Sequence, residues 1–305
     1  MQRYLVVRAR DALIAVWGVL TIVFFVLRLS GDPVLLLLPV GATAAQVEEF
    51  RHELGFDRSL PVQYVEFLKR VARGDFAMSL RSGQPALGLV LERLPATARL
   101  AFSALLFAVL LGGTAGLLAA AYQGTMVELV AMTVALLGQA MPVFWLGVLL
   151  ILVFGVQLHW LPTGGSETPW HMVLPVAALA AYSSAAIARL LRSSLLEVLG
   201  QDYIRTARGK GLAAWVVLIK HAVRNALLPV VTILGLQAGT LLGGSVITET
   251  IFAWPGVGRL AIQAIQNRDF PVVQAAVTVV AITFVIINLL VDVLYAYIDP
   301  RVRFG

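Results

Sequence analysis

The four histidines, His52, His159, His171 and His221, are scattered along the chain and form no His-Glu-x-x-His pair, so no short-range zinc motif is present. No Gly-x-Ser-x-Gly elbow exists to present a nucleophilic serine. With no cysteine in the chain, disulfides, thiolate-bound zinc and thiol nucleophiles are excluded. The run Gly256-Val257-Gly258-Arg259-Leu260-Ala261 has dinucleotide-binding spacing, but that chemistry needs a preceding buried strand within a βαβ unit. Trp254-Pro255 precedes it instead, and a plain turn accounts for its glycines. Gly209-Lys210-Gly211 lacks both the spaced upstream glycine and the Ser/Thr that would hold Mg²⁺ in a phosphate loop. No cofactor is therefore expected on this chain, and any ATP chemistry must belong to a separate one.

The polar residues that remain lie inside apolar stretches, where they usually mark a translocation path. Gln139, Gln237, Thr240 and Ser245 are the candidates for such a path. Asn288 and Asp292 sit one turn apart further on, where Asp292 can equally reach the membrane interface or bond a neighbouring helix. Gly235, Gly239 and Gly243 repeat every fourth residue and form a smooth stripe suited to close helix packing near a pore. Gly112 and Gly116 make a shorter version.

The elements that position these groups follow from composition. Of 305 residues, 59% are hydrophobic and only 13% charged, against roughly 45–50% and about 25% in soluble domains. Such a chain needs lipid. Its net charge of +6 fits a membrane protein with basic segments on one side; no basic stripe interleaved with aromatics argues for nucleic acid. About 20 apolar residues cross a bilayer core, and six stretches qualify: 12–29, 98–122, 127–156, 172–191, 226–248 and 272–298. The expected fold class is all-α. Pro142 sits within the long third stretch and calls for a kink there. The first stretch reads as an uncleaved anchor, since Arg28-Leu29-Ser30 offers no small-x-small cleavage site.

Loop charge sets the expected orientation. Residues 189–224 carry Arg189, Arg192, Arg205, Arg208, Lys210, Lys220 and Arg224 against Glu197 and Asp202, and both terminal segments are basic. Residues 157–171 carry only Glu167. Both termini of a multi-pass membrane protein are therefore expected in the cytoplasm. The domain reading is an anchor at 1–29, an external segment at 30–97 and a transmembrane core at 98–305 with a cytoplasmic loop at 192–225. Within the external segment, Thr43-x-x-Gln46 reads as a capping box, with a helix following it and ending at Gly55, and a second helix spans 61–74 between Pro61 and Gly74. In the cytoplasmic loop, Asp202 is placed to cap a short helix from Tyr203 that Gly211 ends, followed by an amphipathic stretch over 213–225. A long helical inner loop of this kind suggests a docking surface.

Here a resemblance becomes specific. Asp202-Tyr203-Ile204-Arg205-Thr206-Ala207-Arg208-Gly209-Lys210-Gly211-Leu212, followed by residues 220–229, resembles the cytoplasmic loop of permease subunits from ATP-binding-cassette (ABC) importers of the dipeptide, oligopeptide, nickel and glutathione class. Arg93-Leu94-Pro95-Ala96-Thr97, Leu161-Pro162-Thr163, Trp254-Pro255-Gly256, Gly31-Asp32-Pro33, Arg73-Gly74-Asp75 and Asp299-Pro300-Arg301-Val302-Arg303 match the same subunits. The resemblance implies a pore-forming, non-enzymatic subunit that pairs with a second, related permease subunit. It also implies two cytoplasmic ATPases that bind ATP and Mg²⁺, and an external substrate-binding protein. The family's docking loop follows Glu-Ala-Ala-x3-Gly-x9-Ile-x-Leu-Pro. Here Ala207 and Gly211 hold the second Ala and the Gly. Arg205 and Thr206 replace Glu-Ala, His221 replaces Ile, and Val223-Arg224 replace Leu-Pro. By this mapping Arg205, Thr206, Ala207, Arg208, Lys210 and Gly211 are the expected ATPase-coupling residues.

Overall fold

A computed structural model describes residues 2–29, 43–53 and 57–298. The Gly31-Asp32-Pro33 and 299–303 motifs and the Gly55 helix end lie outside the described residues. Eleven helices are named among those described: α1 (Gln2–Leu29), α2 (Ala44–Glu53), α3 (Leu60–Ala72), α4 (Ala86–Ala121), α5 (Met126–Ala140), α6 (Val143–Leu150), α7 (Val173–Leu199), α8 (Asp202–Gly209), α9 (Arg224–Ile251), α10 (Val257–Gln266) and α11 (Phe270–Ile298). Five helices are long and apolar enough to cross a membrane, and α5 with the α6 segment makes a sixth if the bent pair is one span.

That pair is more than kinked. Pro142 has no N–H to donate and disfavours helix in the residue before it. Met141 is accordingly extended (φ −99°, ψ 136°) and the two halves meet at 103°. Beyond α6 the helix widens into a π turn at Ile151–Gln157.

Packing is organised around α7. Ala178, Ala180, Ala185 and Ala188 are fully buried on it, and α4 runs against it along much of its length. The approach is close enough that a Cβ on Gly112 would collide with the Ser184 carbonyl, and one on Gly116 would sit 2.7 Å from that of Ala188. Gly138 makes the same approach from α5 to Ala181, at 2.6 Å. Small residues let backbones touch in lipid, where dispersion replaces the hydrophobic effect as the attraction between helices.

Helix α1 starts at Gln2, ahead of the expected 12–29 stretch, and three further features differ from the sequence reading. Helix α4 begins at Ala86, so Pro95 lies inside a helix of 36 residues. Helix α7 continues to Leu199, which places Arg192 as well as Arg189 on a spanning helix. Residues 257–266 form α10, where only a turn was expected; the buried Val257 and Ala264 are its apolar face.

The described residues ahead of α4 are folded. The Thr43–Gln46 capping box forms, with the Thr43 amide donating to Gln46 Oε1 at 2.9 Å. Helix α3 carries Pro61 in its first turn and is followed by Gly74 at φ 73°. It rests on α1 through Phe67 and Tyr64, whose rings lie 5.5 and 5.2 Å from that of Phe24.

Candidate functional site

At one end of the bundle stands α8. Asp202 is its first residue instead of its cap; Gln201 takes the cap position without a side-chain bond. The other end is as expected: Gly211 adopts φ 76°, a left-handed conformation that turns the chain after the helix. Ile204 and Ala207 face inward, packed in one cluster with Leu195, Val217, Ala222 and Ala226. Ala207 is thus the foot on which α8 stands against its own chain. Arg205, Thr206, Arg208 and Lys210 are exposed. Tyr203, Leu212, Trp215 and Ile219 add exposed apolar surface beside them, with Trp215 70% exposed. Exposed apolar groups and cations thus lie side by side on the outer surface of this loop. From Val217 the chain passes through a π turn into α9, so α8 is tied to two spanning helices at once.

The pathway candidates separate. Gln139, beside the α5–α6 break, accepts a hydrogen bond from the Arg189 guanidinium at 2.8 Å. Gln237 is buried and takes the Thr240 hydroxyl at 3.0 Å, one turn along α9. Ser245 is fully buried and donates to Glu249. The glycine stripe divides as well. Gly235 and Gly239 press on Val291 and Phe284 of α11, while Gly243 faces open space. Nearer α8, Arg192 of α7 holds Glu128 of α5 at 2.7 Å through Nε, and the Gly124 amide donates to the same carboxylate at 2.6 Å.

At the opposite end two buried carboxylates join distant segments, and the sequence reading named neither. Glu249, fully buried, accepts the Thr97 hydroxyl at 2.7 Å and the Arg259 amide at 3.0 Å, with Ser245 and Gly258 as further donors. The Val257 amide in turn donates to Thr97 Oγ1 at 2.8 Å, and the Trp254 indole donates to the Ala96 carbonyl at 3.0 Å. Thus Arg-Leu-Pro-Ala-Thr and Trp-Pro-Gly meet in space, with the carboxylate seated at the N-terminus of α10 where free amides favour an anion. A Cβ on Gly256 would strike that carboxylate. Asp269, 5% exposed, accepts the Ser79 hydroxyl at 2.6 Å and the Leu80 amide at 3.2 Å, fixing the turn ahead of α4 to the α10–α11 corner.

This architecture has known counterparts. The model of the binding-protein-dependent transport system inner membrane component matches residues 112–304, and that of its N-terminal part matches residues 1–101. The chain belongs to this family. It is 41% identical over 305 residues, covering all of both chains, to the glutathione transport system permease protein GsiC of Escherichia coli K12 and to that of Shigella dysenteriae serotype 1. In fold it is similar to a subunit of the MetNI methionine ABC transporter (TM-score 0.56, 18% identity, 69% of this chain and 96% of that one). A chain of an amino acid ABC transporter gives a TM-score of 0.51 at 22% identity, over 70% and 94%. The protein is a transmembrane permease subunit of an ABC importer, working with ATPase subunits and a binding protein and performing no catalysis itself.

Proposed function

We propose that this subunit forms half of the pathway of a glutathione or small-peptide importer, paired with a second, related permease chain. Two ATPases dock on α8 at the cytoplasmic face, bind ATP and Mg²⁺ themselves, and supply all the hydrolysis. Both termini of the permease lie on that face, in the inner membrane. The observation that carries this is the two-sided α8: Ile204 and Ala207 rooted in the core of the chain, Arg205, Arg208 and Lys210 exposed on the outside. A helix held that way passes a push from its outer face to α7 and α9 without deforming. The glutathione reading is supported by the full-length relatives, whose names carry that substrate.

The test is reconstitution of the subunit with its second permease chain, ATPases and binding protein in proteoliposomes. Glutathione uptake should require all components. Reversing charge with Arg208→Glu and Lys210→Glu should leave the permease pair assembled while ATPase association and uptake fall at least about tenfold, equivalent to roughly 1.4 kcal/mol. Normal uptake by the double variant removes α8 as the coupling element. Uptake of nickel chelates or longer peptides in place of glutathione would reassign the substrate.

A further inference from the structure

Arg189 stands where the expected fourth span and the basic loop overlap, and the structure places it inside a spanning helix. It stands about 15 Å before the end of α7 at Leu199, at 1.5 Å per residue. Its guanidinium reaches Gln139, which lies about 20 Å along α5 from Met126 by the same rise, against a half-bilayer of about 15 Å. Gln139 is one residue from the end of α5, at the broken corner of the Met126–Gln157 pair. The charge is therefore held within a membrane-spanning helix, beside a broken span.

A guanidinium on a spanning helix is costly against lipid and as a rule faces a water-filled cavity or a counter-charge. Among the described residues no carboxylate pairs with Arg189: the neighbouring Glu128 is taken by Arg192 and the Gly124 amide. Gln139 Oε1 is a neutral acceptor and occupies one of the five donors of the guanidinium. Arg189 nonetheless remains exposed. It belongs to a narrow stripe on a helix that is otherwise mostly buried: Tyr182, Ala186, Arg189 and Ser193 follow at helical spacing, with Tyr182, Arg189 and Ser193 exposed and Ala186 half-buried. The flanking Ala185, Ile187 and Ala188 are fully buried. One polar stripe, carrying an unneutralised and permanently charged planar fork, is a surface for an anion in water.

We propose that Arg189, oriented by Gln139, is an anion-binding site in the translocation pathway that receives the free carboxylate of a small peptide substrate. This deepens the importer reading and rests on it, because the stripe must line the aqueous path. The arrangement is weak enough to release what it holds. One cation and one amide shared with the ligand attract a carboxylate without enclosing it, so a passing solute is sorted by charge.

Because the chain has no cysteine, a single Ala186→Cys reporter one turn from Arg189 tests this in the assembled transporter. Its reaction rates with sulfonate-bearing and trimethylammonium-bearing methanethiosulfonates are compared. The anionic reagent should win by at least about tenfold, or roughly 1.4 kcal/mol. That preference should collapse in Arg189→Gln and persist in Arg189→Lys. S-methylglutathione should slow the labelling, and its carboxamide derivative should not. No labelling by either reagent means the stripe is packed against lipid or the second subunit and overturns the proposal. So does a preference that survives Arg189→Gln, or equal protection by the amidated compound. Uptake by the parent complex reports separately on the importer reading: a complex that transports no peptide at all refutes that reading, whatever the labelling shows.

Discussion

At the residue scale, the side chains that matter most are those that hold distant segments together. Thr97 donates to Glu249 and accepts from the Val257 amide, and all three residues are buried. Thr97→Val keeps the shape of the side chain and removes both bonds, leaving a buried carboxylate oxygen and an amide short of a partner. The cost is about 1–3 kcal/mol, which thermal unfolding of the purified complex in detergent would register as a lowered midpoint. Thr114→Val is the control, since the Thr114 hydroxyl is exposed and bonds only its own helix at 2.7 Å; no shift is expected there. An equal shift for both would mean that the Glu249 cluster contributes nothing particular. The sequence displayed the Arg-Leu-Pro-Ala-Thr and Trp-Pro-Gly runs plainly, but Thr97 and Glu249 stand 152 positions apart. Local periodicity contains no information about which residues meet across such a separation, and a glutamate just past an apolar stretch reads like any interfacial charge.

At the element scale, the spans were legible because hydrophobic length is a strong local signal, and the break at Pro142 because proline removes a donor wherever it falls. The extent of α4 and α7 was not. Their extra turns carry charges, among them Glu92, Arg93 and Arg192, and hydropathy falls off over such turns even where the helix continues. The glycine stripe was legible in part. Gly235 and Gly239 meet side chains of α11, and Gly243 meets nothing. The less forgiving approach is at Gly112 and Gly116, where the neighbours include backbone atoms of α7 that cannot rotate away. Leu at 116 should therefore abolish assembly, Leu at 239 should weaken it because the Phe284 ring can shift, and Leu at 243 should be tolerated unless the second subunit covers that position. Yield of the intact complex after size-exclusion chromatography ranks the three; assembly by Gly116→Leu at parental yield would contradict the backbone contact. Gly211→Ala is a backbone test: its φ of 76° costs a residue with a Cβ roughly 1 kcal/mol, so uptake should fall modestly with the complex intact.

At the scale of the whole molecule, the two ends differ in kind. The α8 end presents exposed cations and the indole of Trp215, while the α10 end buries its carboxylates. A cysteine at Ser59, exposed ahead of α3, should react with an impermeant thiol reagent added outside intact cells, and one at Gly209 should not; the reverse pattern would invert the proposed orientation. The ends are also linked. Helix α4 is 36 residues long, about 54 Å at its rise per residue. It carries Thr97 near one end and lies against α7, the helix that precedes α8, through glycines that leave no gap for slippage. Mechanically, α4 and α7 form one stiff beam, so a tilt imposed at α8 must reappear at α10 with almost no loss and no delay. Spin labels at Arg208 and Gln263 should then change their distances to a fixed reference in the same step of the ATP cycle, and the transporter would have no intermediate with one end moved and the other at rest.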